Sequence, residues 1–225
     1  YKDWDGVVYP GDKGKRFDPL AYLASYVDLI EINTTFYQPP APGMCKRWAD
    51  RVAHNARFRF TAKLWRKFTH EREELAEGDF QVFRQGIQPL ASAGKLGCLL
   101  IQLPWSFRRI AENQRHVALL VEAFRDLPLA LEVRHASWDD AETYQWLAEE
   151  GVSFCNVDQP IFHRSIRPSA RATSPVGYVR LHGRNYQDWF REEAGRDDRY
   201  NYLYSEEELV PWVERIIKVA GQVSQ

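Results

Sequence analysis

Leu129-Ala130-Leu131-Glu132-Val133-Arg134 places Leu129, Leu131 and Val133 on one parity and Ala130, Glu132 and Arg134 on the other. Successive side chains leave an extended backbone on opposite sides, so this run is a strand with one apolar and one ionic face. Five further runs read in the same way: Val27 to Asn33, Arg57 to Leu64, Leu96 to Leu103, Val152 to Asp158 and Val176 to His182. Longer amphipathic stretches separate them, the pattern of parallel strands joined by crossover helices. The expected fold is therefore α/β, a parallel βα barrel of TIM-barrel-like form, in a single domain over residues 1–225.

Two helix starts are marked. Asp18-Pro19 puts a capping carboxylate before a proline at the first helical position. Ser205 with Glu208 is a reciprocal capping box ahead of Leu209, Trp212, Val213 and Ile216. Phe80 to Ala93 has helical periodicity, but Gly86 and Pro89 predict a kink or two shorter helices. Ile166 to Pro175 and Arg184 to Arg199 lack periodicity and read as long loops after strands, where barrel enzymes keep functional segments.

Composition narrows the function classes. The hydrophobic share of 44% and charged share of 27% are ordinary for a globular chain. Eight Trp residues enlarge the aromatic share, which is read first as large core side chains. Thirty basic against 31 acidic residues give no whole-molecule field for a nucleic-acid backbone, so nucleic acid is disfavoured as a partner. Cys45, Cys98 and Cys155 form no C-x-x-C pair, which speaks against a zinc knuckle or disulfide framework. No apolar run reaches membrane-span length and Tyr1 to Gly6 does not resemble a secretory signal, so a soluble cytoplasmic protein with no membrane partner is expected.

Toward its carboxyl end each strand keeps its polar residues to one parity. Glu31 and Asn33 oppose Ile30 and Ile32; Arg59, Thr61 and Lys63 oppose Phe58, Phe60, Ala62 and Leu64. Gln102 ends the Cys98 and Leu100 face, Asn156 and Asp158 share a face with Phe154, and Arg180 and His182 oppose Val179 and Leu181. Unpaired interior charges cost several kcal/mol each by order of magnitude, so these groups need partners or a wet cleft. A shared pocket at the carboxyl ends of the strands satisfies that need. The alternative is an internal salt-bridge network that only closes the barrel, with Glu31 and Glu132 paired to Arg59, Lys63, Arg134 and Arg180.

Specific strings carry a family resemblance. They are Asp3-Trp4-Asp5-Gly6 with Tyr9-Pro10, Glu31-Ile32-Asn33-Thr34-Thr35-Phe36-Tyr37 with Pro40, and Phe60-Thr61-Ala62-Lys63 with Thr69-His70. Gly97 to Leu100, Gln102-Leu103-Pro104, Glu132-Val133-Arg134-His135 with Ser137-Trp138, and Asp158 follow. Arg180-Leu181-His182-Gly183-Arg184 and Tyr200-Asn201-Tyr202-Leu203-Tyr204-Ser205 complete the series. The chain thereby resembles the YecE-like family, domain of unknown function 72, over nearly its whole length. The resemblance implies a TIM barrel with a remote likeness to barrel-type sugar isomerases, and carries no settled reaction. Against that family, a strand before Asp3 and one after Gln225 with an Asn-Asn-His string are missing, so an incomplete barrel is expected.

The candidate chemistry follows from the shared parity. Glu132 beside Arg134, with His135 next, can act as acid or base according to whether the cation or burial governs it. His182 follows Arg180, with Gly183 leaving room for a ligand at the backbone. Lys63 is an electrostatic stabiliser or, if desolvated, a Schiff-base nucleophile. The expected catalytic set is Glu132, His182, Lys63 and Asp158. Arg134, Arg180 and Arg184 form an anion-reading wall, and Glu31, Asn33, Tyr37, Gln102 and Trp138 supply hydrogen bonds and an apolar side. Tyr200, Tyr202 and Tyr204 alternate, and packing is their more ordinary role.

The leading expectation is an enzyme acting by acid-base chemistry on a small polar anion such as a sugar phosphate. One rival is a metal-dependent phosphoester hydrolase, possibly on nucleic acid, using Glu31, Glu132, Asp158 and His182 as ligands; neighbouring arginines would repel the cation. The other rival is a non-catalytic metabolite-binding module. Neither G-x-G-x-x-G nor G-x-x-x-x-G-K occurs, and no cofactor is expected.

Overall fold

The computed structural model describes residues 4–71, 75–191, 193, 195, 198 and 200–225. Asp3 of the first string, and parts of the 184–199 loop, lie outside the described residues. Six parallel strands pair in sequence order: β1 (Leu29–Ile32), β2 (Arg59–Lys63), β3 (Leu96–Gln102), β4 (Leu129–Glu132), β5 (Ser153–Asp158) and β6 (Tyr178–Leu181). All six expected strands are present, each shorter than the run that marks it in the sequence. The sheet curls into a half-barrel. β1 and β6 are not hydrogen-bonded neighbours, yet Arg180 and Tyr178 of β6 both reach Glu31 of β1.

Among the described residues, five α-helices precede or cross between strands: α1 (Pro19–Leu23), α2 (Pro42–Arg51), α3 (Glu77–Ser92), α4 (Ala111–Ala123) and α5 (Ala141–Glu149). After β6 comes α6 (Glu206–Ala220). The marked starts are built as read: Asp18 accepts from the Leu20 and Ala21 amides, and Ser205 and Glu208 cap reciprocally. The division into two shorter helices, one of the two forms expected near Gly86 and Pro89, does not occur, and α3 is a single helix from Glu77 to Ser92. Gly86 instead lets α3 lie directly on the Pro40 backbone. Between helices and sheet sits an aromatic core in which Phe68 stacks on Phe80 and meets Phe83 and Phe124 edge-on.

The crossover from β5 to β6 is a long loop, as read for Ile166 to Pro175, and residues 159–177 contain no helix. The segment covers β5 with its own polar groups: Ser169 and the Arg171 amide donate to Asn156, whose amide donates to the Arg171 carbonyl. Thr173 accepts from the Phe154 amide and donates to Val152. Every backbone group here still needs a partner, and side chains provide it where a helix would have used its own ladder.

Candidate functional site

At the carboxyl ends of the strands the inward side chains of β1, β2, β3, β4 and β6 converge. Glu132 is fully buried. Its Oε1 accepts from Arg134 Nε at 2.9 Å and lies 3.1 Å from His182 Nε2, while Oε2 accepts from Arg180 Nη1. Arg180 continues the chain, donating to Gln102 Oε1 at 3.0 Å and through Nη2 to Glu31 Oε1 at 2.7 Å. Lys63 Nζ is 3.6 Å from the same Glu31 oxygen, and Tyr178 donates to Glu31 Oε2. Three cations, Lys63, Arg134 and Arg180, thus surround two carboxylates, leaving one net positive charge at the site.

This charge surplus sets the protonation states. Burial opposes ionisation of Glu132, but His182, Arg180 and Arg134 outweigh it and hold the carboxyl well below its ordinary range. Burial, followed by the field of Arg134, pushes His182 down to about 4 against the pull of Glu132, so its imidazole is neutral near pH 7. The two guanidinium groups are therefore what keep Glu132 ionised there. Nε2 also lies 3.3 and 3.5 Å from the Arg134 and Arg180 guanidinium nitrogens, which can only donate, but its shortest contact is with the Glu132 carboxylate, which can only accept, and that contact assigns the imidazole hydrogen to Nε2 and leaves Nδ1 with a lone pair. Lys63 is lowered chiefly by burial and then by Arg180.

The network opens into a cavity of about 530 Å³, within the roughly 300–1,000 Å³ of small-ligand pockets. Its walls include Glu31, Asn33, Tyr37, Lys63, Gln102, Arg180 and His182, all expected from the sequence. Phe36, Leu181, Gly183, Tyr200, Tyr202 and Tyr204 complete it. The three tyrosines thus line the cavity as well as packing. Gly183 has φ +82°, and a Cβ there would stand 2.7 Å from Tyr202 Cβ, so the glycine makes room for Tyr202 beside the cavity. Arg134 sits behind His182, 3.3 Å away, and walls an adjoining chamber.

Three expected site residues lie elsewhere. Asp158 points away from the cavity, accepting from Arg184, Tyr204 and Trp212 in a closed cluster that includes Glu208. The cause is the facing of β5: Cys155 turns inward beside the charges of Glu132 and Arg180, so the Phe154, Asn156 and Asp158 parity faces outward. Arg184 is held in that cluster, and its fork is occupied by Asp158. Trp138 stacks on Phe107, donates to the Phe107 carbonyl and lines a groove between α4 and α5. The anion-reading role of Arg134 and Arg180 also changes, because their forks already hold Glu132 and Glu31.

The four residues weighed as metal ligands do not converge. Asp158 is in its own cluster, and the Glu132 oxygens face cations. Among the described residues no group of three or more His, Cys, Asp or Glu side chains is placed to hold a metal ion. The cysteines are buried, and burial pushes the Cys45 thiol up to about 11. No helix among the described residues is long and apolar enough to cross a membrane.

Sequence reasoning missed Tyr178, Trp105, Trp189 and Phe190. Tyr178 bridges Glu31 and Thr61, and its inward parity with Arg180 was the available signal. Trp189 and Phe190 fall in the long loop after β6 and line the adjoining chamber, contacts for which the sequence has no periodicity to serve as a signal.

A curled half-barrel of parallel strands, with an ionic cavity at their carboxyl ends, defines the fold class as α/β. The chain belongs to the family described as "Protein of unknown function DUF72", whose model matches residues 1–225. It is similar to "UPF0759 protein YunF" of Bacillus subtilis (strain 168), with 28% identity over 229 residues, covering 96% of this chain and 80% of that protein. Among solved structures it is similar to a DUF72 family protein of Thermotoga maritima, with 33% identity, a TM-score of 0.80, and coverage of 99% of this chain and 85% of that one. A DUF72 family protein of Enterococcus faecalis matches at 27% identity and TM-score 0.82, covering 93% and 80%.

Proposed function

We propose that the cavity binds a small organic anion of the sugar-phosphate kind and transfers a proton on it, within a TIM-type barrel acting as one domain in the cytoplasm. The observation that carries this reading is the neutral His182, tethered through Nε2 to Glu132, in a cavity with one net positive charge. The tether fixes the ring and leaves Nδ1 to accept a proton from a bound ligand. A bound anion would raise the affinity of His182 for that proton by offsetting the field of Arg134 and Arg180. Lys63, held by one carboxylate at 3.6 Å, keeps donors for the anionic group or for negative charge developing on an adjacent oxygen. Asn33 and Tyr37 then serve as orienting donors on the β1 side. Asp158 has no part in the chemistry here and positions the loop that follows β6 through Arg184.

Calorimetric titration with ribose 5-phosphate and inorganic phosphate tests the reading. The native protein is expected to bind the sugar phosphate, and Lys63→Ala to weaken it by about tenfold or more. Failure of the native protein to bind either anion, or unchanged binding by the variant, would contradict it.

A further inference from the structure

A second chamber of about 240 Å³ adjoins the main cavity and shares Gln102 and Tyr200 with it as common walls. This volume falls below the roughly 300–1,000 Å³ of a pocket that encloses a small ligand unaided, so the chamber extends the main cavity. Arg134 stands at the junction, 3.3 Å from His182 on one side and 5.6 Å from the centre of the Trp189 ring on the other. Trp105, Trp189 and Phe190 give the remaining walls an aromatic character, alongside His70, Leu103 and Pro104. Trp105 meets Phe190 edge to face at 5.5 Å, and Phe190 keeps 53% of its surface exposed.

Such walls suit a flat ring, since aromatic faces pair with other rings in offset or edge-on geometry. One donor shared by the two cavities distinguishes which kind of ring. Gln102 uses its Oε1 for Arg180, and its amide hydrogens have no acceptor among the described residues. A hydrocarbon ring would fill the space and leave this donor unmet, whereas a ring with nitrogen or oxygen acceptors on its edge answers it.

We infer that the anion bound in the main cavity carries a heteroaromatic ring that lies in the Trp105, Phe190 and Trp189 chamber, which makes the ligand a mononucleotide-like anion. This rests on the anion-binding reading of the main cavity and narrows its substrate class. Calorimetry of the native protein with ribose 5-phosphate, phenyl phosphate, adenosine 5′-monophosphate and uridine 5′-monophosphate separates the two. At least one mononucleotide is expected to bind about tenfold or more tighter than ribose 5-phosphate and tighter than phenyl phosphate. Trp105→Leu and the half-exposed Phe190→Ala should each reduce that advantage while leaving ribose 5-phosphate binding unchanged. Equal binding of ribose 5-phosphate and both mononucleotides, or an advantage untouched in a folded Phe190→Ala protein, would overturn the inference and leave the anion reading standing. Absence of binding by every anion would instead remove the anion reading, and this inference with it.

Discussion

Glu132 is surrounded by Arg134, Arg180 and His182 with none of its own side chain exposed. Removing one partner of such a buried set leaves charges without compensation, a loss of about 3–5 kcal/mol. Glu132→Ala is expected to lower unfolding stability in urea by that amount, and a change below about 1 kcal/mol would show the arginines to be solvated. His182 makes a separate prediction about pH. In the unfolded chain it takes a proton near its ordinary 6.5, and in the fold only near 4. The unfolded state therefore binds more protons in that window, and stability falls as pH drops from about 6.5 to about 4. The expected loss at pH 5 relative to pH 8 is about 2 kcal/mol. His135 is also lowered and adds loss of the same sign, so the difference between native and His182→Asn profiles isolates the term. Profiles that run parallel between pH 8 and pH 5 would contradict the assignment. The depressed carboxyl of Glu132 extends the acid sensitivity below its ordinary value of 4.5.

At the scale of elements, packing overrides local preference in α3. Pro89 lacks an amide hydrogen and Gly86 has poor helix propensity, yet the helix continues because its apolar face, with Phe80, Phe83, Ile87 and Leu90, is buried. A methyl at Gly86 would gain about 1 kcal/mol of helix propensity. It would also stand 2.1 Å from the Pro40 carbonyl oxygen, and overpacking of that kind costs about 1–3 kcal/mol. Backbone cannot swing aside as a side chain can, so the clash wins and Gly86→Ala should destabilise in thermal unfolding; a stabilised variant would refute this. Ser205→Ala should cost about 1 kcal/mol through loss of the cap on α6, measured in the same way. Caps and strands were legible because they depend on neighbours in sequence. The course of α3 was not, since the Pro40 backbone that explains Gly86 is far from it along the chain.

Across the whole molecule, the sheet brings β1 and β6 together through side chains. Arg180 and Tyr178 hold Glu31, and the same Arg180 holds Glu132 on β4. One residue type pattern therefore serves two ends: ion pairs draw the half-barrel inward, and their unequal count leaves the cavity positive. Parity in the sequence revealed this for Glu31, Lys63, Gln102, Glu132, Arg180 and His182. It failed for Asp158 because parity separates two faces without saying which is inward, and the polar segment after β5 together with Trp212 of α6 made the outer face hospitable to charge. The aromatic chamber was not legible at all, being assembled from Trp105, Trp189 and Phe190 in irregular segments. A neutral, carboxylate-tethered His182 facing a positively biased cavity has a direct signature in nitrogen-15 and carbon-13 NMR titration of its imidazole: a hydrogen on Nε2 at neutral pH and protonation near 4 are expected. Titration near 6.5 with the hydrogen on Nδ1 would contradict it.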